Sequence, residues 1–178
     1  MKHIILSGTY SVGKSTVAKQ LEKEYPDYYH TPDLAREYLN RHDLRSDTMT
    51  EKQRKDMQLW VAASYIGNMK QSEVSKKLNI SDSSLIEVYA YSENVLSEVH
   101  LASIAFNIEK FRKDMFALVF LPTIPLDNDG TRHTNEEFRI TIHQRIMDVV
   151  RAFNIEYQCI LGTTVEERVK EVLSYIEK

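Results

Sequence analysis

Short apolar runs alternate with longer amphipathic stretches along the chain. Runs at 3–6, 116–121 and 157–161 are rich in β-branched or aromatic residues and are typical of buried strands. Weaker runs at 28–30 and 78–81 are predicted to form two further strands. Because helical patterns separate these runs, the alternation predicts an α/β fold built on a parallel sheet.

Two helices are predicted in the first quarter of the chain. The first begins within residues 8–15, carries apolar side chains every fourth residue, and ends before Pro26. A second helix is predicted to use Thr31 as its N-cap and Pro32 in its first turn, and to continue through the segment DLAREYL. Both helices follow a predicted strand directly, as the parallel-sheet interpretation requires.

Longer helical patterns fill the middle of the chain. A helix is predicted over 50–78, with Gly67 as a candidate bend, and a helical region over 85–112 is expected to break near Glu98. A further helix is predicted over 135–153. Its apolar stripe comprises Phe138, Ile142, Ile146, Val149 and Phe153.

The last predicted helix follows the segment GTTVEER. Its capping box has two alternatives, Thr163 with Glu166 and Thr164 with Glu167. The chain contains no repeat, no low-complexity segment and no Pro- or Gly-rich linker. We therefore expect one domain over residues 1–178.

Composition narrows the classes of partner. The 23 basic and 26 acidic residues give a net charge of -3, and no run of five like charges occurs, so nucleic acid is not an expected partner. Residues 4–6 are three consecutive apolar positions, too few for a signal-peptide core or a membrane span. Cys159 lies in an apolar run and is expected to be a buried hydrophobic residue. These features predict a cytoplasmic protein without an internal disulfide.

Residues 8–15, GTYSVGKS, match the phosphate-binding pattern GxxxxGK[ST]. Gly8 and Gly13 permit positive φ angles and close approach of backbone amides to phosphate oxygens. Lys14 can reach the β- and γ-phosphates, and Ser15 can supply a hydroxyl to Mg²⁺. A chance match is the alternative, but a strand before the motif and a helix after it are the context that this mechanism needs.

The motif predicts binding of a nucleoside triphosphate with Mg²⁺, and it leaves ATP and GTP open. The predicted nucleotide-binding residues of this P-loop are Gly8, Thr9, Tyr10, Ser11, Val12, Gly13, Lys14, Ser15 and Thr16.

Segments beyond the P-loop carry a family resemblance. In order they are AREYL, SDSSLIEVYAYS, LVFLPTIPLDNDGTR and YQCILGTTVEERV. With the P-loop, they resemble the NadR-related (AAA-type) P-loop proteins, which include the ribosylnicotinamide kinase domain. The resemblance implies a three-layer α/β/α P-loop kinase fold with five parallel strands and a lid around 127–139. It also implies that adenine binds near Gly162, Thr163 and Thr164.

Two carboxylates match acidic positions of the family. The resemblance makes Asp33 the general base that takes a proton from an acceptor hydroxyl, although an acidic residue in a first helical turn is also stabilised by the helix dipole alone. Asp82 matches a position that binds Mg²⁺ or the acceptor, and an N-cap role is the alternative. The chain departs from the family at Ser83, where Arg is common, and at Glu87, where Asp is usual. The acceptor therefore stays open.

Arg132 and Arg139 match lid arginines that neutralise charge on the transferred phosphoryl group, with a solvated helix face or a surface ion pair as the alternative. Arg145 lies 600° further round the helix than Arg139 and is expected to face elsewhere. Candidates for an acceptor pocket are Arg36, Arg41, Arg45, Trp60, Tyr65, Tyr89 and Tyr91. Core packing is the favoured interpretation of the aromatic residues. The predicted acceptor-binding residues are Asp33, Arg36, Asp82 and Tyr89.

The leading hypothesis is a kinase that moves the γ-phosphate of ATP to a hydroxyl of a nucleoside-like small molecule, with ribosylnicotinamide suggested by the resemblance. One alternative is a nucleoside monophosphate kinase, and another is a regulatory NTPase that binds and slowly hydrolyses its nucleotide. A kinase of a modified DNA base is disfavoured by the acidic net charge. The sequence leaves monomer and homodimer open.

Overall fold

The computed structural model describes residues 2–125 and 135–176. Its sheet is parallel and has the strand order β2-β3-β1-β4-β5. The strands are β1 (His3–Ser7), β2 (Tyr29–Thr31), β3 (Asn79–Asp82), β4 (Met115–Phe120) and β5 (Glu156–Ile160). The five parallel strands and their positions confirm the predicted α/β fold.

Helices connect successive strands of the sheet. They are α1 (Lys14–Glu24), α2 (Leu34–Arg41), α3 (Glu51–Ser75), α4 (Leu85–Ser92), α5 (Glu98–Phe111), α6 (Glu136–Ala152) and α7 (Val165–Ile176). A 3-10 turn at Arg112–Asp114 leads into β4. In the described ranges, no helix has both the length and the apolar content that a bilayer span demands.

The start of α2 differs from the prediction. Asp33, rather than Thr31, is the N-cap, because the Asp33 carboxylate accepts a hydrogen bond of 3.1 Å from the backbone N–H of Arg36. Thr31 is the last residue of β2, and its hydroxyl donates to Asn79 Oδ1 at 3.0 Å. The Thr31 hydroxyl is therefore engaged within the sheet and does not cap α2.

Two predicted interruptions of helices have different outcomes. α3 begins with the capping box of Thr50 and Gln53 and continues without interruption through Gly67. A break between α4 and α5 is present at 93–97, close to the predicted position. The capping box of α7 pairs Thr164 with Glu167, which selects one of the two alternatives.

Alternate residues of the strands pack against opposite layers. Ile5 points to a core shared with α2 to α6, whereas Ile4 and Leu6 point to a core shared with α1 and α7. Burial on both faces explains the unbroken apolar runs of the central strands. The predicted burial of Cys159 is wrong, because β5 is an edge strand and this residue is only half-buried. Phe138, at the start of the apolar stripe of α6, is 37% exposed.

Candidate active site

The P-loop joins the carboxyl end of β1 to α1. Gly8 and Gly13 have φ angles of 139° and 82°, and Ser11 also has a positive φ of 54°. A Cβ atom at Gly8 would lie 2.9 Å from the carbonyl oxygen of Phe120, so a larger residue would displace β4. The loop geometry thus explains why glycine occupies the first position of the motif.

Lys14 lies buried inside this loop. Its Nζ donates to the carbonyl oxygens of Gly8 at 2.8 Å and Thr9 at 2.6 Å. Gly13 is the N-cap of α1, and no side chain caps the helix. The loop therefore combines an ammonium group with the positive end of a helix, which is the usual construction of a phosphate site.

Glu87 fastens the P-loop to α4. One carboxylate oxygen accepts hydrogen bonds from the Ser7 hydroxyl and, at 3.0 Å, from the Gly8 N–H. The other oxygen accepts from the N–H and hydroxyl of Ser84 at 2.7 and 3.1 Å. From the sequence, Glu87 stands out only as a departure from the family. The spacing Ser84-x-x-Glu87 after a strand is a capping-box signal that could have identified it.

Arg139 of α6 braces the other side of the P-loop. Its side chain is 2% exposed and donates to the carbonyl oxygens of Pro122 and Ile124 at 3.0 and 2.9 Å. A longer contact of 3.4 Å reaches the carbonyl of Ser11, and Glu136 pairs with the guanidinium at 2.9 Å. These contacts exclude the solvated helix face that was the alternative for Arg139.

The other arginines of this region have separate positions. Arg132 and residues 127–134 of the predicted lid lie outside the described residues. Arg145 points away from the contacts of Arg139, as the helical rotation predicted, and pairs with Glu93 at 3.3 Å.

Two cavities meet at the P-loop. The first, the P-loop groove, has a volume of about 790 Å³ and extends from Ser11–Thr16 past Asp82 to Ile124 and Val165. The second, the helical cavity, has a volume of about 490 Å³ and lies between α2, α3, α4 and α6. Its apolar wall comprises Ala35, Leu39, Met49, Met57, Val61, Val88, Val95, Phe138 and Ile142. Gly8, Thr9 and Tyr10 of the P-loop face this second cavity.

Lys14 and Asp33 line both cavities. Asp33 caps α2 and also stands at the junction of the two cavities. Its side chain is 9% exposed, and the Arg36 Nε lies 3.7 Å from its carboxylate. Arg36 itself lines the P-loop groove rather than the helical cavity.

Two side chains of the P-loop groove carry oxygen atoms of the kind that bind metal ions. Ser15 and Asp82 both line it, and Asp82 is buried at the carboxyl end of β3. Mg²⁺ is bound through one or two protein oxygens together with substrate phosphates, so this donor set suits it. Across residues 2–125 and 135–176 no group of three or more His, Cys, Asp or Glu residues forms a metal cage.

Tyr65 connects the end of β3 to the helical cavity that it lines. Its hydroxyl donates to the carbonyl oxygen of Asp82 at 2.9 Å. Burial, reinforced by the carboxylates of Asp33, Asp82 and Glu87, raises the pKa of Tyr65 well above its ordinary value. The phenol therefore stays neutral and keeps its role as a donor.

The remaining predicted aromatic pocket residues differ in position. Tyr89 packs edge-on against Phe153, with ring centroids 5.9 Å apart, and is not among the residues that line either cavity. Trp60 packs beside Tyr38 at 5.5 Å. Tyr91 does line the helical cavity. For Trp60 and Tyr89, core packing was the correct interpretation.

Two of the predicted pocket arginines lie on the surface. Arg41 pairs with Glu37 at 2.6 Å, and its guanidinium lies 5.4 Å from the Trp60 ring centroid. Arg45 pairs with Asp47 at 3.1 Å. Both are engaged away from the two cavities.

Gln58 is a polar residue of the helical cavity that the sequence analysis missed. It is 9% exposed, lies on α3 between apolar cavity residues, and its amide has no hydrogen-bond partner among the described residues. Arg54, one turn earlier, lines the same cavity. The partly polar stripe of α3 was a signal for this face, but it did not single out Gln58.

The loop at Gly162, Thr163 and Thr164 is shaped by carboxylates of α7. Glu171 accepts from the Gly162 N–H at 3.0 Å, and Glu167 accepts from the N–H groups of Thr163 and Thr164 at 2.8 and 3.2 Å. The N–H groups of Thr163 and Thr164 lower the pKa of Glu167. Val165, the next residue, lines the end of the P-loop groove.

Comparison with known proteins places this geometry in a family. A family model described as an AAA domain matches residues 3–168. No curated protein sequence matches the chain significantly. Many solved structures do match, including a NadR protein in complex with NR, at a TM-score of 0.70 and 20% identity. That alignment covers 99% of this chain and 52% of the NadR chain.

Two further structures show the same fold. A NadR protein with NAD and AMP-PNP has a TM-score of 0.69 and 18% identity, over 99% of this chain and 49% of that chain. A deoxyadenosine kinase from M. mycoides with dCMP and dCDP has a TM-score of 0.66 and 13% identity, over 98% of both chains. The present chain spans about half the length of these NadR chains. The family match covers most of the sequence, and the chain therefore belongs to the AAA domain family and has the P-loop kinase fold of the NadR-related proteins.

Proposed function

We propose that this chain is an ATP-dependent kinase that transfers the γ-phosphate to a hydroxyl group of a nucleoside-like acceptor, with ribosylnicotinamide as the leading candidate. The observation that carries the proposal is the meeting of the P-loop groove and the helical cavity at Lys14 and Asp33. A triphosphate that ends at Lys14 would face an acceptor in the helical cavity. Two adjoining sites suit transfer between two bound molecules, which depends mainly on their positioning.

The nucleotide half of the site uses the P-loop groove. The P-loop amides and Lys14 hold the phosphates, Ser15 and Asp82 supply oxygen ligands to Mg²⁺, and the base lies toward Gly162–Thr164. The complex of NadR with AMP-PNP, an analogue of ATP, supports ATP as the donor. Bound Mg²⁺ would neutralise charge on the phosphate oxygens.

Asp33 is the proposed general base. In the transfer, the acceptor hydroxyl oxygen bonds to the γ-phosphorus while the bond to the β–γ bridging oxygen breaks, and ADP leaves. The hydroxyl proton passes to the Asp33 carboxylate. Arg139 contributes as a positioning residue through its contact with Ser11, whereas a direct role for Arg132 stays a prediction.

The helical cavity suits a nucleoside with an amide-bearing ring. Its volume of about 490 Å³ lies within the usual range for small-molecule sites, and its wall is mostly apolar. Gln58 offers one donor and one acceptor to a carboxamide or to the edge of a base. Ribosylnicotinamide carries such a carboxamide, and a NadR protein binds NR with the same fold.

A nucleoside monophosphate acceptor is the second candidate, and two cations favour it. Arg54 and Arg145 line the helical cavity from opposite helices, and guanidinium groups bind phosphate well. A thymidylate kinase from Ehrlichia chaffeensis shares the fold, with a TM-score of 0.63 and 14% identity over 98% of this chain and 97% of that chain.

The test is an acceptor screen with the purified chain, ATP and Mg²⁺. ADP formation is measured with ribosylnicotinamide, nucleosides, nucleoside monophosphates and no acceptor, and products are identified by mass spectrometry. We expect ADP formation to depend on ribosylnicotinamide or another nucleoside and the product to gain one phosphate. Phosphorylation of monophosphates alone would select the second candidate, and turnover that no acceptor stimulates would contradict both.

A further inference from the structure

Arg168 of α7 connects three separate segments around the P-loop groove. The residue is fully buried. Its Nε donates to the carbonyl oxygen of Gly162 at 2.6 Å, and one terminal nitrogen donates to the hydroxyl of Thr123 at 3.0 Å. The other terminal nitrogen donates to the carbonyl oxygen of Val12 in the P-loop. One planar side chain therefore joins the P-loop, the end of β4 and the loop before α7.

Two glycines pack directly on this side chain. A Cβ atom at Gly162 would lie 2.9 Å from the backbone nitrogen of Arg168 and 3.0 Å from its Cγ. A Cβ atom at Gly13 would lie 3.4 Å from a terminal nitrogen. The guanidinium also lies 5.6 Å from the centroid of the Phe120 ring. Close packing on several sides leaves the guanidinium little freedom to change its position.

The partners of this cation are unusual for a buried charge. Within residues 2–125 and 135–176, its hydrogen bonds go to neutral oxygen atoms and not to a carboxylate. Burial lowers the pKa of Arg168, and only Glu171 opposes this effect. A cation buried without an ion pair is an inefficient way to stabilise a fold. A role in the site explains its position better.

The three segments that Arg168 joins lie at opposite ends of the P-loop groove. Val12 belongs to the phosphate cradle, whereas Thr123 and Gly162 adjoin Ile124 and Val165 at the apolar end of the groove. The P-loop has its own supports, because Glu87 holds Gly8 from the opposite side. Loss of Arg168 would therefore change the distance between the two ends more than the shape of the cradle.

We propose that Arg168 is a positioning residue that sets the spacing between the triphosphate cradle and the base end of the groove. It is required for tight binding of a nucleoside triphosphate and not for binding of the triphosphate chain alone. The inference rests on the proposed function only in taking a nucleoside triphosphate as the ligand of the groove. It does not depend on the acceptor.

The test compares ATP with inorganic tripolyphosphate, each with Mg²⁺, by calorimetry on the intact chain. Arg168→Met should raise the Kd for ATP at least about tenfold, because hydrogen bonds to a charged group are lost, and leave the Kd for tripolyphosphate within about twofold. Arg168→Lys keeps the charge but not the planar fork of donors. Its Kd for ATP should lie between the values for Arg168→Met and the unmodified chain. Arg151→Met, at an exposed arginine of α6, is the matched control and should change neither value.

Gly162→Ala provides a second comparison if Arg168→Met does not fold. The added methyl group would push the loop away from Arg168. The affinity for ATP should therefore fall, while the affinity for tripolyphosphate should stay the same. An equal loss of affinity for ATP and tripolyphosphate in these variants would show that Arg168 only supports the structure of the P-loop, and would overturn the proposal. Unchanged affinity for ATP would overturn it as well. Absence of acceptor phosphorylation, with the ATP result as expected, would contradict the kinase function alone.

Discussion

The P-loop groove and the helical cavity differ in how they are built. The P-loop end of the groove is formed by consecutive residues, Ser11–Thr16. The helical cavity is formed by side chains from α2, α3, α4 and α6, which are far apart in the sequence. A site made from one continuous segment can therefore be specified by a local motif, whereas a site made from several helices depends on the whole fold.

The two cavities also differ in the ligand chemistry they suit. An ammonium group and a helix N-terminus in the groove favour an anion. A mostly apolar wall with a few polar groups in the helical cavity favours a ring system. If this comparison is correct, substitutions in each cavity should affect one ligand and spare the other, and substitutions at the junction should affect transfer itself.

The largest effect is expected from Lys14→Ala. Removal of the ammonium group from the cradle should abolish the rise in melting temperature that ATP with Mg²⁺ produces, and reduce phosphoryl transfer more than about a thousandfold. Differential scanning fluorimetry and an ADP assay measure the two effects. Lys23→Ala, at an exposed lysine of the same helix, is the control and should behave like the unmodified chain. Retained protection by ATP in Lys14→Ala would place the nucleotide elsewhere.

Asp33→Asn should separate the two classes of acceptor at the junction. Asparagine caps helices as well as aspartate does, so α2 should be preserved while proton acceptance is lost. For a hydroxyl acceptor we expect kcat to fall about a thousandfold with little change in the Kd for ATP. A phosphate acceptor is already ionised and should lose much less. Comparable rates of Asp33→Asn and the unmodified chain with a nucleoside would show that Asp33 only caps α2.

Sequence patterns were sufficient for the groove and the sheet. Gly8, Gly13 and Lys14 stand at fixed spacing between a strand and a helix, so backbone geometry alone prescribes their positions. The central strands are buried on both faces, so they appear in the sequence as continuous apolar runs that can be recognised as strands. The edge strand β5 is buried on fewer sides, and for this reason the burial of Cys159 was overestimated.

Residues that act through tertiary contacts could not be predicted in the same way. Glu87 and Arg168 reach the P-loop from 79 and 156 residues away, and no local pattern gives those distances. Thr31 was predicted as an N-cap because the sequence does not show that Asn79 lies beside it. Helical periodicity likewise does not reveal which neighbouring helix covers a given face, so the packing of Tyr89 against Phe153 could not be predicted.

Glu87→Gln tests whether the P-loop depends on a support that lies outside the motif. The Glu87 carboxylate accepts four hydrogen bonds. In glutamine an NH₂ group replaces one of the two oxygens, and this group cannot accept the hydrogen bonds that the oxygen accepted. We expect the free energy of unfolding to fall by about 2 kcal/mol and the Kd for ATP to rise about tenfold. Urea unfolding and calorimetry provide the values. Glu98→Gln, at an exposed glutamate of α5, is the control, and a Glu87→Gln variant that matches it in both measurements would contradict this support.

The smallest effect, and the most selective one, is expected from Gln58→Leu. Leucine removes the amide from an apolar cavity, so the acceptor should lose one or two hydrogen bonds and its KM should rise about tenfold, while the Kd for ATP stays the same. Removal of a buried amide that has no partner among residues 2–125 and 135–176 should not lower the free energy of unfolding, whereas removal of a structural hydrogen bond would. Gln71→Leu, at an exposed position of the same helix, controls for the change in surface. A Gln58→Leu variant with reduced stability and unchanged acceptor KM would make Gln58 a structural residue and break the contrast between the two cavities.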